Sequence, residues 1–482
     1  MKKKVLSALL TTAMLASMLV GCGSSNEAPA ASTDAAPAAS TEAKTEAPAS
    51  TEAAEPAAAE EGKVFNIYCW NEEFKSRLTD HYPGYEEVDG TTGKIGDITV
   101  KWNITPSDDN AYQNNLDETL LKQADAAADD KIDLFLIEAD YALKYVDTDY
   151  TMAVTDLGIT DEDLSKQYQY TKDIVTDSKG VQKGTTWQAT PGLFAYRRSI
   201  AKDVLGTDDP DAVQAQLSSW DKFNAVAEKA SEKGYKMLSG YDDAYRVFSN
   251  NVSAPWVDSN NKIVIDDNIM KWVDQTKTFT EKGYNNKSSL WDNVWQADQG
   301  PKGNVFGFFY STWGINFTLL GNALETPVKE GGKEEVGNGI YGDYAVCQGP
   351  QSYYWGGTWI CAAAGTDNPN LIKEIMQTMT CDKDTEVQIT KDTQDYTNTI
   401  SGMNELANSD FKSDFLGGQN HIKLFAEAAP KINMKNISAY DQGLNEEFQK
   451  AMKDYFDGNV TKDKALDNFY KAATEKYPNL TH

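Results

Sequence analysis

An α/β architecture with more than one lobe is predicted by three observations. Strand-like and helix-like segments alternate between residues 64 and 137. The last strand of that series, Ile132-Asp133-Leu134-Phe135-Leu136-Ile137, is a nearly unbroken apolar run, as expected of a parallel sheet buried on both faces. The part able to fold, from near Lys63 to His482, is too long for one compact core, which predicts two lobes.

The elements follow in chain order. Met1-Lys2-Lys3-Lys4 precedes an apolar run from Val5 to Val20 and the box Leu19-Val20-Gly21-Cys22, which is similar to a bacterial lipoprotein signal peptide. Residues 1–22 are therefore expected to be a leader, with Cys22 as the lipidated residue. Residues 23–62 consist almost wholly of Ala, Ser, Thr, Glu and Pro, with no aromatic residue to bury. Such a segment cannot offset its ordering entropy and reads as an extended spacer. Gly23 in place of Asp after Cys22, with this long spacer, favours the outer face of a Gram-positive cytoplasmic membrane.

Val64 to Trp70 is the first strand. Asn71 follows as a helix N-cap, and Phe74, Leu78 and Tyr82 make one apolar stripe before Pro83-Gly84 ends the helix. Ile98 to Ile104 is the next strand, and Tyr112, Leu116 and Leu120 share a face of the following helix. This β-α-β-α-β order implies right-handed crossovers, and ligands of such sheets bind beyond the carboxyl ends of the strands. That edge carries Trp70, Asn71 and Glu72 after the first strand and Glu138, Asp140 and Tyr141 after the third. Glu72 also reads as a first-turn helix charge, and Asp140 as a helix cap. Later, Asn368-Pro369 starts a helix whose stripe is Leu371, Ile372, Ile375, Met376 and Met379. Leu444, Phe448, Met452 and Tyr455 form another stripe, and Leu466 and Phe469 belong to a last helix.

Composition narrows the function. The net charge is −28, and more acidic still without Lys2, Lys3 and Lys4, which disfavours nucleic acid and anionic lipid as partners. Three histidines and the absence of any C-x-x-C pair argue against a zinc site, and nothing calls for a cofactor. Cys347 and Cys361 flank a turn, where a disulfide and buried free thiols are both open readings; Cys69 and Cys381 add no pattern. The 11 Trp and 24 Tyr are abundant, and Trp187, Trp313 and Trp355 lie in turn or Gly-rich contexts. A pyranose offers apolar C–H faces within a belt of hydroxyls, so flat aromatic faces flanked by carboxylates suit it. Gly356 and Gly357 would let backbone approach such a ligand closely. Trp291 and Trp295, four apart, read as core residues of one helix.

Four stretches together resemble the extracellular solute-binding proteins of family 1, the carbohydrate-binding components of ABC importers related to maltose-binding protein. They are Asn66–Phe74, Asp133–Asp140, Trp187–Arg198 and Gly303–Trp313. The resemblance implies a two-lobed periplasmic-binding-protein-like fold of type II, crossed three times by the chain near residues 200, 350 and 408. Lobe one would be 63–200 with 350–407, and lobe two 201–349 with 408–482. It further implies a monomeric receptor, not an enzyme, that takes a sugar in the inter-lobe cleft and hands it to a membrane permease. Its membrane contact would be through the lipid alone. Carried over residue by residue, it assigns ligand contact to Glu138, Asp140, Trp313, Trp355, Asp242 and Tyr440, beside Trp70, Asn71, Glu72 and Trp187. The same fold with a peptide or polyamine as cargo is one alternative. The other is a glycoside hydrolase using Glu138 and Asp140, although no second acid at a suitable separation is identifiable.

Overall fold

The computed structural model describes residues 62–482. The lipidation box at Cys22 and the spacer lie outside the described residues. Two sheets organise the described body. The larger has the order β2-β3-β4-β1-β5-β9, with β1 Val64–Cys69, β2 Tyr85–Asp89, β3 Thr92–Ile95, β4 Ile98–Ile104, β5 Leu134–Glu138 and β9 Thr358–Ala362. The smaller has the order β7-β6-β8, with β6 Gly192–Arg197, β7 Gly307–Ser311 and β8 Tyr344–Cys347.

β1 lies between β4 and β5 and is parallel to both, as the alternating strand and helix pattern requires. Phe65, Ile67 and Cys69 of β1 are buried beside Leu134 and Leu136 of β5 and the stripe Leu371, Ile372, Ile375, Met376 and Met379 of the helix Pro369–Thr380. Asp133 ties these layers together: its carboxylate accepts from Asn66 N (2.7 Å), Thr366 Oγ1 (2.6 Å) and Asn368 Nδ2 (3.0 Å). Asn368 is thus the residue before the helix, but its side chain is spent on the sheet and does not cap. In the helix Asp441–Phe456, Phe456 rather than Tyr455 completes the buried stripe.

The β2–β3 hairpin is an addition to the expected order. Glu86, Glu87 and Asp89 are poor strand residues, so no strand signal precedes Ile98. What holds the hairpin is Tyr85, whose hydroxyl accepts from Trp102 Nε1 at 2.9 Å. Its ring crosses Gly93 so closely that a Cβ there would meet the Tyr85 hydroxyl at 2.2 Å.

β6 joins the smaller sheet. Gly192–Arg197, placed with the first lobe by a crossing near 200, pairs antiparallel with β7 and β8 in the smaller sheet. The chain therefore leaves the larger sheet before Gly192. Residues 188–191, 353–358 and 395–397 run side by side there: Ala189 N donates to Tyr396 O (3.1 Å), Trp355 N to Thr190 O (3.1 Å) and Gly192 N to Tyr353 O (2.7 Å). Cys347 and Cys361 sit in different sheets as buried free thiols, so of the two readings the unpaired one holds.

Candidate functional site

The parallel neighbours β1 and β5 end at one edge of the larger sheet, and the residues beyond them form a rim. Trp70 packs edge-on against Tyr112 at 5.5 Å and Tyr141 at 6.5 Å between ring centroids. Asn71 and Glu72 are exposed; the helix begins at Glu73, so its N-cap is Glu72 and not the expected Asn71, and Asn71 Oδ1 accepts from Glu73 N at 3.0 Å from one residue further out. Glu73, not Glu72, turns inward: Gln188 Nε2 donates to Glu73 Oε1 (2.8 Å) and to Asp395 Oδ2 (2.8 Å). Glu138 caps the turn that follows β5, accepting from Asp140 N at 2.9 Å.

The facing wall belongs to the smaller sheet and its connections. Trp313, just past β7, donates from Nε1 to Trp355 O at 3.0 Å, and its ring meets Trp355 edge-on at 5.3 Å. This approach depends on glycine: Gly356 has φ +67°, and a Cβ on it would lie 3.1 Å from Trp313 Nε1. Trp291 lies over Trp313 at 6.1 Å and 19°, and beside Trp355 at 5.9 Å. Asp242 joins the group through the backbone, accepting from Leu290 N at 3.1 Å. Asp243 below it holds Gly240 N (2.6 Å) and Trp295 Nε1 (2.8 Å).

Two polar seams connect the rim to the wall. Arg246, in the helix Tyr245–Ser249, grips both carboxylate oxygens of Asp140, with side chains 22% and 17% exposed. Thr312 Oγ1 donates to Asp395, which Gln188 already ties to Glu73. The cavity bounded by Asp140, Arg246, Tyr354 and Asp441 is about 40 Å³, room for water and not for a sugar ring. A larger ligand can enter along that seam only if the Asp140–Arg246 contact opens.

Two expected contacts do not join either surface. Trp187 is 0% exposed and stacked on Phe74 at 5.0 Å and 26°, inside the core under the larger sheet. Tyr440 meets Tyr477 edge-on at 5.1 Å and accepts from Asn479 Nδ2 at 2.8 Å, while its neighbour Asp441 faces the cavity. Conversely, Glu73, Arg246 and Asp395 make the seam contacts without a sequence signal, and Trp291, expected in the core, is half exposed on the wall. Trp295 is buried as expected, but Trp291 is not on its helix. That helix runs Asn293–Asp298 behind the N-cap Asp292, a capping signal present in the sequence.

The carboxylates here are crowded and desolvated. Burial, first of all, raises Asp441 to about 7, Asp243 to about 7, Asp242 to about 6 and Glu73 to about 7; Asp395 adds to the rise at Glu73. Burial and the nearby Asp140 raise Glu138 as well. An unfolded carboxyl titrates near ~4, so between that value and the raised ones the folded chain binds more protons than the unfolded chain. Stability therefore falls as pH rises through this window. His421, lowered to about 4 by burial, has the opposite slope below its unfolded value, leaving the range above it to the carboxylates. The melting temperature is expected to rise when pH falls from about 8 to about 6.5. A thermal melt series shows it, and a flat or falling trend would contradict these environments.

Among the described residues no group of three or more His, Cys, Asp or Glu side chains is arranged to hold a metal ion, and no helix is long and apolar enough to cross a membrane. A family model for bacterial extracellular solute-binding proteins matches residues 85–415. No curated protein sequence matches the chain. Among solved structures, an extracellular solute-binding protein of family 1 is similar at TM-score 0.71 and 16% identity, covering 86% of this chain and 100% of the other. The ABC transporter associated binding protein from B. animalis subsp. lactis, in complex with β-1,6-galactobiose, is similar at 0.61 and 15%, covering 87% and 99%. The sugar-binding protein MalE from Xanthomonas citri is similar at 0.62 and 12%, covering 86% and 97%. At these identities the likeness is one of fold.

Proposed function

Because the chain belongs to the bacterial extracellular solute-binding proteins, we propose that it captures a sugar or oligosaccharide between two lobes and delivers it to the permease of an ABC importer. One observation carries the sugar reading: three tryptophans, Trp291, Trp313 and Trp355, form a wall across from a rim of carboxylates. Flat indole faces suit the C–H faces of a pyranose, and Glu73, Glu138, Asp140 and Asp242 suit its hydroxyls. The galactobiose complex and the MalE likeness support the same reading. Trp70 would extend the rim, with Asn71 and Glu72 at its outer edge.

In this reading the lobes are built around the two sheets, with β6 assigned to the second lobe. The side-by-side segments near 190, 355 and 396 act as the hinge. A ligand enters when the Asp140–Arg246 seam opens, binds one wall, and stabilises the closed form by touching the other. Micromolar affinity corresponds to about −8 kcal/mol, within reach of a few stacked rings and charge-assisted hydrogen bonds. No bond is broken. Glu138 and Asp140 share one capping turn and Asp140 is held by Arg246, so they do not flank a glycosidic bond as a hydrolase pair must. Lipid attachment at Cys22 and the spacer would keep a monomeric receptor at the outer surface of the membrane, near its permease.

The test is a thermal-shift screen of the full chain with galactose, β-1,6-galactobiose, maltose and maltotriose against spermidine and short peptides. Stabilisation by a saccharide that is recovered chemically unchanged is expected. Stabilisation by a polyamine or peptide and by none of the sugars would overturn the sugar assignment, and cleavage of the sugar would overturn the receptor one.

A further inference from the structure

The Gln188 carboxamide is committed at both ends. Its Oε1 accepts from Thr358 N at 3.1 Å, which fixes the end of the amide that faces the rim, and its Nε2 donates to Glu73 Oε1 and Asp395 Oδ2, both at 2.8 Å. Two carboxylates therefore share one nitrogen. They come from different parts of the fold, Glu73 from the first turn of the helix Glu73–His81 and Asp395 from the third of the side-by-side segments. Asp395 Oδ1 accepts in turn from Tyr396 N at 2.8 Å and from Thr312 Oγ1, just past β7 on the wall. Rim, crossing segments and wall thus meet at one pair of acids.

Charge at this junction is not balanced. On its own helix Glu73 faces Arg77, in a loose contact at 3.9 Å, and the exposed N-cap Glu72. From the crossing segments it faces Asp395, while Gln188 and Thr312 carry no charge. The helix Lys383–Thr393 packs on the same helix, but its Asp392 pairs with His81 at the far end. Behind Asp395, His421 is buried and neutral, with Nε2 2.9 Å from Gln394 O. Two carboxylates thus answer to one guanidinium. Burial, then Asp395, raises Glu73 to about 7, with Arg77 and Gln188 pulling the other way. The Glu73 side chain keeps 24% exposure, so a proton reaches it from water.

We propose that this junction is a proton-sensitive hinge: the chain takes up a proton at Glu73 as rim and wall close, and gives it back as they part. Parting withdraws Thr312 from Asp395 and lets water between the two acids, which relieves the ionised form of Glu73. Closing does the reverse. A proton bound more tightly in the closed form favours that form at low pH, and the open form gains as pH rises through about 7. This rests on the two-lobed hinge reading above and is independent of the cargo.

The experiment is small-angle X-ray scattering of the full chain alone, as wild type, Glu73→Gln and Arg77→Met, from about pH 6 to about pH 8. The wild-type radius of gyration should grow across that range. Glu73→Gln, neutral at every pH, should lose more than half of the growth. Arg77→Met removes the cation that favours ionised Glu73, so its transition should move to higher pH, a shift that a merely structural contact would not produce. Calorimetric titration with β-1,6-galactobiose and with maltose gives a second readout. If Glu73 goes from about 7 when closed to an ordinary ~4.3 when open, affinity should fall about tenfold over the same range in wild type and less than about threefold in Glu73→Gln. A wild-type radius that does not change with pH, a Glu73→Gln chain that expands as much as wild type, or an unmoved Arg77→Met transition would overturn the hinge. Binding of neither sugar would count against the sugar reading alone, since the scattering series does not depend on cargo.

Discussion

Asp140→Ala is expected to lower the unfolding free energy by about 2–3 kcal/mol, because it leaves the Arg246 guanidinium desolvated and without its bidentate partner. The full cost of breaking a buried pair is about 3–5 kcal/mol, and two features reduce it here. Both side chains retain some exposure, and Glu138 and Asp441 stand close enough to take up part of the charge. Arg246→Met alone should cost a similar amount, since it strands Asp140 beside Glu138. The double variant Asp140→Leu with Arg246→Met should lose clearly less than the two single losses combined, as two apolar groups need no partner. Urea unfolding of the four proteins at neutral pH measures the coupling. Strict additivity would mean that the two residues do not act as a pair in solution, and that the seam between rim and wall is not held there.

Trp313→Ala is expected to weaken saccharide binding by at least about tenfold while the chain stays folded. Trp313 is the centre of the wall: its Nε1 holds Trp355 O, its ring meets Trp355, and Trp291 lies over it. Removing it takes away one stacking face and loosens the two beside it. Trp187→Ala is the informative contrast. A fully buried ring stacked on Phe74 is lost, so about 3–5 kcal/mol of stability should go. Affinity of the molecules that remain folded should hardly move. Titration calorimetry with melting curves separates the two outcomes. Unchanged affinity in Trp313→Ala would remove the wall from the binding site.

Much of this arrangement is legible in sequence, and the limits have physical causes. β1 and β5 show themselves because a strand buried on both faces must be apolar almost throughout, β4 because Ile98, Val100, Trp102 and Ile104 alternate about an exposed Lys101, and the stripe Phe74, Leu78 and Tyr82 because a helix buries every third or fourth residue. The β2–β3 hairpin is silent, since a Tyr85 ring lying over Gly93 has no local signature. Asp140 is found from its place at a strand end, but its partner Arg246 is not, because the contact joins residues 106 apart in the chain and has no local signature. Trp187 shows the reverse error. Aromatic residues in turn-like contexts suggest a surface, yet the Trp187 turn is folded under the larger sheet. The one-residue shift from Glu72 to Glu73 follows from the helix start, because Glu72 and not Asn71 is the N-cap and Glu73, the first helical residue, meets Gln188.

The proposed capture of sugar between the rim and the tryptophan wall is tested most directly by a crystal structure of the chain with the saccharide that raises its melting temperature most. The predicted result is a sugar ring in van der Waals contact with Trp313, its hydroxyls bonded to carboxylates of the rim. A saccharide bound on an outer surface, with the wall and rim untouched, would contradict it.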